Sequence, residues 1–333
     1  MALIKPESGL SLNALTSGGA NLPAFMRNSA FWHAKKVIRD LKFLRDMFFH
    51  LLTKRAAREK PLIRYSELGS VVPDYARPVC FFCNYDQKGI IRKNVYHYLG
   101  ELVRAGFDIV FISSNDTVSD TDLKKLSKLC IRIIVRENRG YDFYGWKIGM
   151  QAYPSYHEHS ALLLANDSVL GPLFSMQHVI AKLENVAADI VAMTDSLHFH
   201  PHLQSYFLYC KKSVITSKEF IGFFSKVDVL TFKMAIVRKY EVGFSRTLGR
   251  CFKLSALYSL ESILNRIHPE RPKDWIDATI YLWKPLISEF KFPFLKKNLL
   301  IKRGVSIEEI SQVLVGSDAN YTVDMLTDYI GSP

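Results

Sequence analysis

Between Val79 and Ser196 the hydrophobic positions change rhythm repeatedly. Short runs dense in branched and aromatic residues read as strands: "VCFFCNYD", "FDIVFISSND", "IRIIV", "SALLLAND" and "ADIVAMTD". Between them lie "RKNVYHYLGELVRAG", "TDLKKLSKLC", "YDFYGWKIGMQAY" and "SMQHVIAKLE", whose apolar residues recur at helical spacing. Strands alternating with helices predict an α/β fold, a mostly parallel sheet flanked by helices. Each predicted strand ends in a polar cluster: Asn84-Tyr85-Asp86, Ser113 to Asp116, Arg136-Glu137-Asn138, Asn166-Asp167-Ser168 and Thr194-Asp195-Ser196. Ligands of open α/β sheets bind at the carboxyl ends of strands, so these five clusters suggest one shared site.

Upstream, residues 1–30 are rich in Ser, Gly, Asn and Ala and read as a flexible N-terminus. Ala34, Val37, Leu41, Leu44, Phe48 and Leu51 then follow 3-4-3-4-3 spacing, one face of a basic amphipathic helix ended by Pro61. This helix and the linker "SVVPDYARP" occupy residues 31–75, and the main domain runs over 76–305. Within it, residues 217–268 read as mostly helical. A helical tail, 306–333, reads as two short helices broken at Gly316-Ser317.

Charge sharpens this division. The 333-residue chain carries a formal net charge of +12, and ten Lys or Arg against three Asp or Glu lie between Phe31 and Arg64. Most of the excess therefore belongs to the N-terminal helix, whose seam would pack on protein or lie in a lipid interface against an anionic membrane surface, through residues 31–60. In the lipid reading Phe31, Trp32, Phe43, Phe48 and Phe49 insert. No nucleic-acid partner is expected, because no aromatic-basic RNA signature accompanies the charge. The five cysteines are scattered, and Cys80 and Cys83 should point to opposite faces of one strand, so a reducing compartment is expected. No secretory leader or membrane-spanning run is visible, which suggests a cytoplasmic protein, peripheral on a membrane face.

Candidate chemistry begins with exclusions. No P-loop, G-x-G-x-x-G after the first strand, H-E-x-x-H or G-x-S-x-G occurs. In "LLLANDSVLGP" a carboxylate ends a buried strand, which suits Mg²⁺ or Mn²⁺ on a diphosphate, with Asp167 as ligand and Asn166 and Ser168 orienting phosphate or sugar. An Asx-turn closing the strand is the structural alternative. In "ENRGYDFYGWKIGM", Asn138 and Gly140 make a tight turn, a helix opens near Asp142, and Arg139 is in position to reach a phosphate. Gly145 inside that helix implies a close approach, since it costs about 1 kcal/mol of helix propensity. In "KYEVGFSRTL", Glu241 is either a general base for an acceptor hydroxyl or a surface partner of Lys239, Arg246 and Arg250. The "HFHPH" run would give structural or substrate contacts, or bind a metal.

These segments resemble the rhamnan synthesis protein F family of bacterial polysaccharide and O-antigen assembly. The resemblance is carried by "NYD" with Gly89, "IVFISSND", "ENRGYDFYGWKIGM", "LLLANDSVLGP", "HLQSYFLYCKKSVI", "YEVGFSRTL" and "FPFLKKNLL", over about residues 79–300. It implies a GT-A-like (Rossmann-like) glycosyltransferase that inverts the anomeric centre, with dTDP-β-L-rhamnose as donor and a lipid-linked or growing glycan as acceptor. "NDS" would stand at the place of an Asp-x-Asp metal motif, with one carboxylate instead of two, which leaves metal-independent transfer open. Glu241 would be the base, and Tyr85, Asp86, Asn115 and Asp116 would face the nucleoside. Asn138, Arg139, Gly140, Asp142, Asn166 and Ser168 would complete the donor site, and His202, Gln204 and Ser205 would meet the acceptor or sugar. The work would take place at the inner face of the bacterial plasma membrane. The alternative is a non-catalytic glycan-assembly or glycan-binding protein on the same fold.

Overall fold

The computed structural model describes residues 62–330 apart from 231, 268–276 and 318, together with positions 37, 38, 40, 41, 44, 45 and 48. The readings made for residues 1–36 and for the helix end at Pro61 lie outside the described residues. The seven described positions between 37 and 48 are all helical.

The strands are β1 (Ile63–Leu68), β2 (Val79–Asn84), β3 (Asp108–Ser113), β4 (Arg132–Arg136), β5 (Ala161–Asn166), β6 (Val169–Leu170), β7 (Ile190–Ser196), β8 (His202–Leu203), β9 (Phe207–Lys211), β10 (Leu254–Tyr258) and β11 (Leu295–Lys296). Nine form one sheet in the order β1-β4-β3-β2-β5-β9-β7-β10, with β8 beside β7, while β6 and β11 form a separate ribbon. The β4-β3-β2-β5 block is parallel, and β10 is parallel to β7. Strand β9 runs antiparallel between β5 and β7, and β1 antiparallel on β4. The expected mostly parallel α/β sheet is therefore present.

Two strands depart from the sequence reading. Leu254–Tyr258 lies in a stretch expected to be mostly helical, yet β10 extends the sheet beside β7. Ile63–Leu68 lies before the domain start expected at residue 76, yet β1 pairs with β4 along its length. β1 is exposed or half-buried along its whole length, as an edge strand is, which leaves only a weak signal in its sequence.

Central strands β2, β3 and β5 are buried at every position, as expected for strands covered on both faces. Their two-residue period divides them: Val79, Phe81 and Cys83 enter one core, Cys80 and Phe82 the other. Burying Phe81 and Phe82 contributes roughly 1.5–3 kcal/mol each.

Helices α1 (Lys93–Arg104), α2 (Asp120–Ser127) and α4 (Met176–Asn185) cover the second core, and α3 (Tyr141–Ala152) and α5 (Lys218–Ser225) cover the first. A helical run follows, made of Lys233–Ile236, a π-helical turn Val237–Glu241 and α6 (Val242–Leu248). Beyond β10 come α7 (Leu260–Ile267), α8 (Trp283–Phe290), α9 (Lys297–Arg303), α10 (Ile307–Val315) and α11 (Val323–Ile330). The tail forms the two short helices read from the sequence, interrupted near Gly316-Ser317. It is packed into the molecule through a third cluster that joins Leu170 and Trp283 to Ile310, Leu314 and Leu326. Tyr321 donates its hydroxyl to Asn94 Oδ1 at 2.6 Å, and Arg92 reaches Asp328 O at 2.8 Å.

Candidate active site

The carboxyl ends of β2 and β5 are neighbours because these strands pair in parallel register, Cys83 against Asn166. Just beyond them Asp167 Oδ2 accepts from Asn84 Nδ2 at 3.0 Å, from Lys297 Nζ at 3.0 Å and, more weakly, from Tyr85 N at 3.5 Å. Asn166 closes an Asx-type turn onto Ser168 N at 3.0 Å, as the structural alternative required. Its amide does more, because Nδ2 donates to Asp142 Oδ2 at 3.0 Å. The Asn-Asp pair thus terminates the strand and links two acidic groups.

Asp142 arrives from beyond the end of β4, which β3 separates from β2 in the sheet. After β4 the chain turns sharply through Gly140 and Tyr141, both left-handed at φ 79° and 54°. Buried Arg136 holds that turn, donating to the carbonyls of Glu137, Arg139 and Tyr141 at 2.6–2.9 Å. Asp142 then enters the first turn of α3, where a carboxylate suits the helix dipole. Burial, together with the negative charge of Asp167, pushes its carboxyl up to about 6, against the opposing charges of Arg136 and Lys233. Glu241 adds to the upward push, so the charges of two other acids are felt at Asp142.

Glu241 ends the π-helical turn, and its Oε1 accepts the backbone N–H of Ser205 at 2.7 Å. Arg246 and Arg250, proposed partners in the surface reading, are exposed. π-Helical turns re-aim side chains that a regular helix would carry past. The Lys296 ammonium is buried, with its Nζ 3.8 Å from the centroid of the Tyr206 ring. Burial lowers its pKa, opposed by the charges of Asp277, Glu241 and Asp142. Gln204 completes this side: it accepts from Thr194 Oγ1 at 2.5 Å and donates to Asp277 Oδ2 at 3.3 Å.

Beside Asp167 an open cleft of about 490 Å³ is lined by Tyr85, Asp86, Gln87, Lys88, Arg92, Lys297, Leu300 and Ile301. Tyr85 is exposed here. Asp86 holds the loop: it accepts from Lys88 N and Ile90 N and pairs with Arg92 at 2.8 Å. Burial raises its carboxyl, but Arg92 and the two backbone donors prevail and hold it below its ordinary value. Asn115 supports the same loop through Asp86 N at 2.8 Å. Among the described residues, buried Asn84 Oδ1 and Asn115 Nδ2 have no hydrogen-bond partner.

Other expected site residues lie apart from this cluster. Asp116 is exposed and paired with Arg64 of β1 at 3.1 Å. Asn138 and Arg139 are exposed on the turn before α3. His202 is buried, with Nδ1 2.7 Å from His200 O, so it braces its own loop. Lys296, Lys297, Lys233 and Asp277 were not singled out from the sequence. The only signal for the first two was the Lys-Lys pair in "FPFLKKNLL", 130 residues from Asp167.

The expected Mg²⁺ or Mn²⁺ ligand is Asp167. Its Oδ2 already takes an ammonium and two N–H donors. Among the described residues no group of three or more His, Cys, Asp or Glu is arranged to hold a metal ion. A divalent ion on a diphosphate commonly takes one or two carboxylates with the phosphate oxygens. Here the expected carboxylate already carries the Lys297 ammonium, so such an ion would compete with a cation built into the fold. The thiols of Cys80 and Cys83 are buried in opposite cores and pushed up by that burial, which suits packing and not ligation.

A parallel α/β sheet with acids and lysines gathered at its strand ends defines a class of ligand-binding α/β proteins. The chain belongs to the family described as Rhamnan synthesis protein F, whose profile matches residues 109–332. The match takes in the tail from Ser306, which the sequence resemblance had left out, and begins inside β3. The uncharacterized protein y4gN of Sinorhizobium fredii is 28% identical over 218 residues, covering 62% of this chain and 56% of that protein. The chain thus spans just over half the length of that curated relative. Two solved structures are similar at a distance. One is the mannosyltransferase PcManGT from Pyrobaculum calidifontis in complex with GDP-Man and Mn²⁺, at 12% identity, 84% of this chain, 79% of that chain and TM-score 0.35. The other, from Desulfovibrio desulfuricans, is described as a "nucleotide-diphospho-sugar transferase", at 10% identity, 71% of this chain, 97% of that chain and TM-score 0.33.

Proposed function

We propose that this protein is a nucleotide-sugar glycosyltransferase of GT-A-like architecture, acting in bacterial polysaccharide assembly. The observation that carries the reading is the pair of strand-end acids, Asp142 held by Asn166 and Asp167 held by Asn84 and Lys297, with Asp167 beside an open cleft. In this reading the cleft takes the nucleotide, with Tyr85 against the base. The sugar lies toward Gln204, Ser205 and Lys296. Glu241, oriented by Ser205 N–H, removes the proton of an acceptor hydroxyl. The oxygen attacks the anomeric carbon as the bond to the diphosphate oxygen breaks, and the leaving diphosphate carries away the electron pair. Attack in line opposite that bond inverts the centre. The donor we favour is dTDP-β-L-rhamnose, the acceptor a lipid-linked or growing glycan.

The exposed seam of the N-terminal helix extends the proposal to a membrane face. Val37, Leu41, Leu44 and Phe48 are exposed, while Asp40 pairs with Arg238 at 2.8 Å. Among the described residues no helix is long and apolar enough to cross a membrane. A basic amphipathic helix of this kind fits the cytoplasmic face of an anionic bilayer, where the enzyme would meet its acceptor.

The test is sugar transfer from nucleotide donors by the purified protein. Glu241→Gln is expected to lower turnover by about 10²–10⁴-fold, the range for loss of a general base, while donor binding persists. Asp167→Ala is expected to abolish transfer. Full activity in both variants would remove these roles. Glycan binding without transfer by the wild-type protein would favour a non-catalytic assembly role.

A further inference from the structure

We propose that the Asp167–Lys297 pair takes the place of a divalent cation, so that this protein binds the donor diphosphate through a fixed ammonium and without metal. The inference rests on the glycosyltransferase reading and specifies its cofactor requirement. A departing diphosphate needs positive charge close to its oxygens. The residue expected to recruit that charge as a metal, Asp167, holds a side-chain cation at 3.0 Å. Both side chains are largely buried, 14% and 12% exposed, so the pair is weakly screened.

The local fold sets this cation in place. β11 pairs antiparallel with β6, Lys296 against Val169, directly after the Asp167 turn. Lys297 N donates to Ser168 O at 3.2 Å, which ties the start of α9 to the same turn. Lys297 also lines the cleft, where Lys88 and Arg92 add two cations against the single carboxylate of Asp86. At the strand ends framing the cleft, buried Asn84 Oδ1 and Asn115 Nδ2 have no partner among the described residues, as polar atoms awaiting a ligand would. The cleft is thus basic and flanked by an exposed tyrosine, a chemistry that suits a nucleoside diphosphate. A divalent ion at Asp167 Oδ2 would compete with the Lys297 ammonium.

Calorimetric titration of the full chain with thymidine, uridine and guanosine diphosphates, in EDTA and in Mn²⁺, tests this. At least one nucleotide is expected to bind in EDTA with an affinity that Mn²⁺ leaves unchanged. Lys297→Met should weaken that binding by about ten- to hundredfold, the scale for losing a charged hydrogen bond, with no rescue by Mn²⁺. Lys297→Arg keeps the charge in a bulkier group and should bind more tightly than Lys297→Met. Binding that requires Mn²⁺ would overturn this inference and leave the glycosyltransferase reading standing. Unaltered EDTA-insensitive binding by a folded Lys297→Met protein would also overturn it. If that variant fails to fold, the comparison of EDTA with Mn²⁺ on the wild type decides. No binding of any nucleotide in either buffer would overturn both readings.

Discussion

Asp142 shows how a site residue works against the fold that holds it. Its carboxyl is raised from 3.8 to about 6, first by burial and then by Asp167. Between those values the folded protein binds more protons than the unfolded chain, so stability falls as pH rises through the window. Above about 6 the penalty is fully present, and below 3.8 it is gone. Asp142→Asn keeps an acceptor for Asn166 without the charge. Its melting temperature is expected to exceed that of wild type at pH 7.5, with the gap closing as pH approaches 4. A gap of the opposite sign would place Asp142 in a stabilising ion pair. Asp167 and Glu241 were readable as candidates because each is a lone acid in an unusual sequence setting. Lys297 was not, because a lysine's partner 130 residues away leaves no local mark.

At the scale of elements, α3 lies close on the sheet because two of its residues lack a Cβ. A Cβ on Gly145 would stand 2.8 Å from Cys83 Sγ and 3.1 Å from the Arg136 guanidinium. A Cβ on Gly149 would stand 2.6 Å from Ile112 Cδ1. Gly145→Ala gains about 1 kcal/mol of helix propensity. Overpacking at the sheet costs about 1–3 kcal/mol, and the Arg136 that holds the Asp142 turn has no slack to give. The substitution is therefore expected to lower the urea midpoint and to reduce transfer; an unchanged midpoint would mean that α3 can lift without cost. The helix and its close approach were both readable, the first from periodicity and the second from a glycine where propensity disfavours one. β10 was not readable, since "LSALY" gains its extended form by pairing with β7.

For the whole molecule, the N-terminal helix is the element whose described apolar side chains stay exposed while Asp40 ties it to Arg238. Leu41 and Leu44 are 59% and 61% exposed, so charging them removes nothing from the interior. Leu41→Asp with Leu44→Asp is expected to weaken binding to anionic vesicles by about tenfold or more, through lost apolar insertion and added repulsion, with melting unchanged. Equal co-sedimentation with vesicles would assign the seam to a protein contact. The tail behaves differently. Its helices were expected as an appendage, but Tyr321 and Asp328 bind α1 and its leading turn, and Leu314 and Leu326 share a core with Trp283.

The sequence by itself determined the α/β succession, the two faces of the central strands and the polar strand ends. These follow from local rhythm: a period of two or of 3.6 is written in neighbouring residues. It also singled out Asp167 as an acid ending a buried run, Asp142 as an acid opening a helix after a tight turn, and Glu241 as an acid among basic and aromatic residues. Only the tertiary structure decided which strand ends meet, that β9 enters antiparallel between β5 and β7, and that Lys297 closes on Asp167. Charge pairing and sheet order depend on distances between remote segments, and those distances exist only once the two cores have assembled.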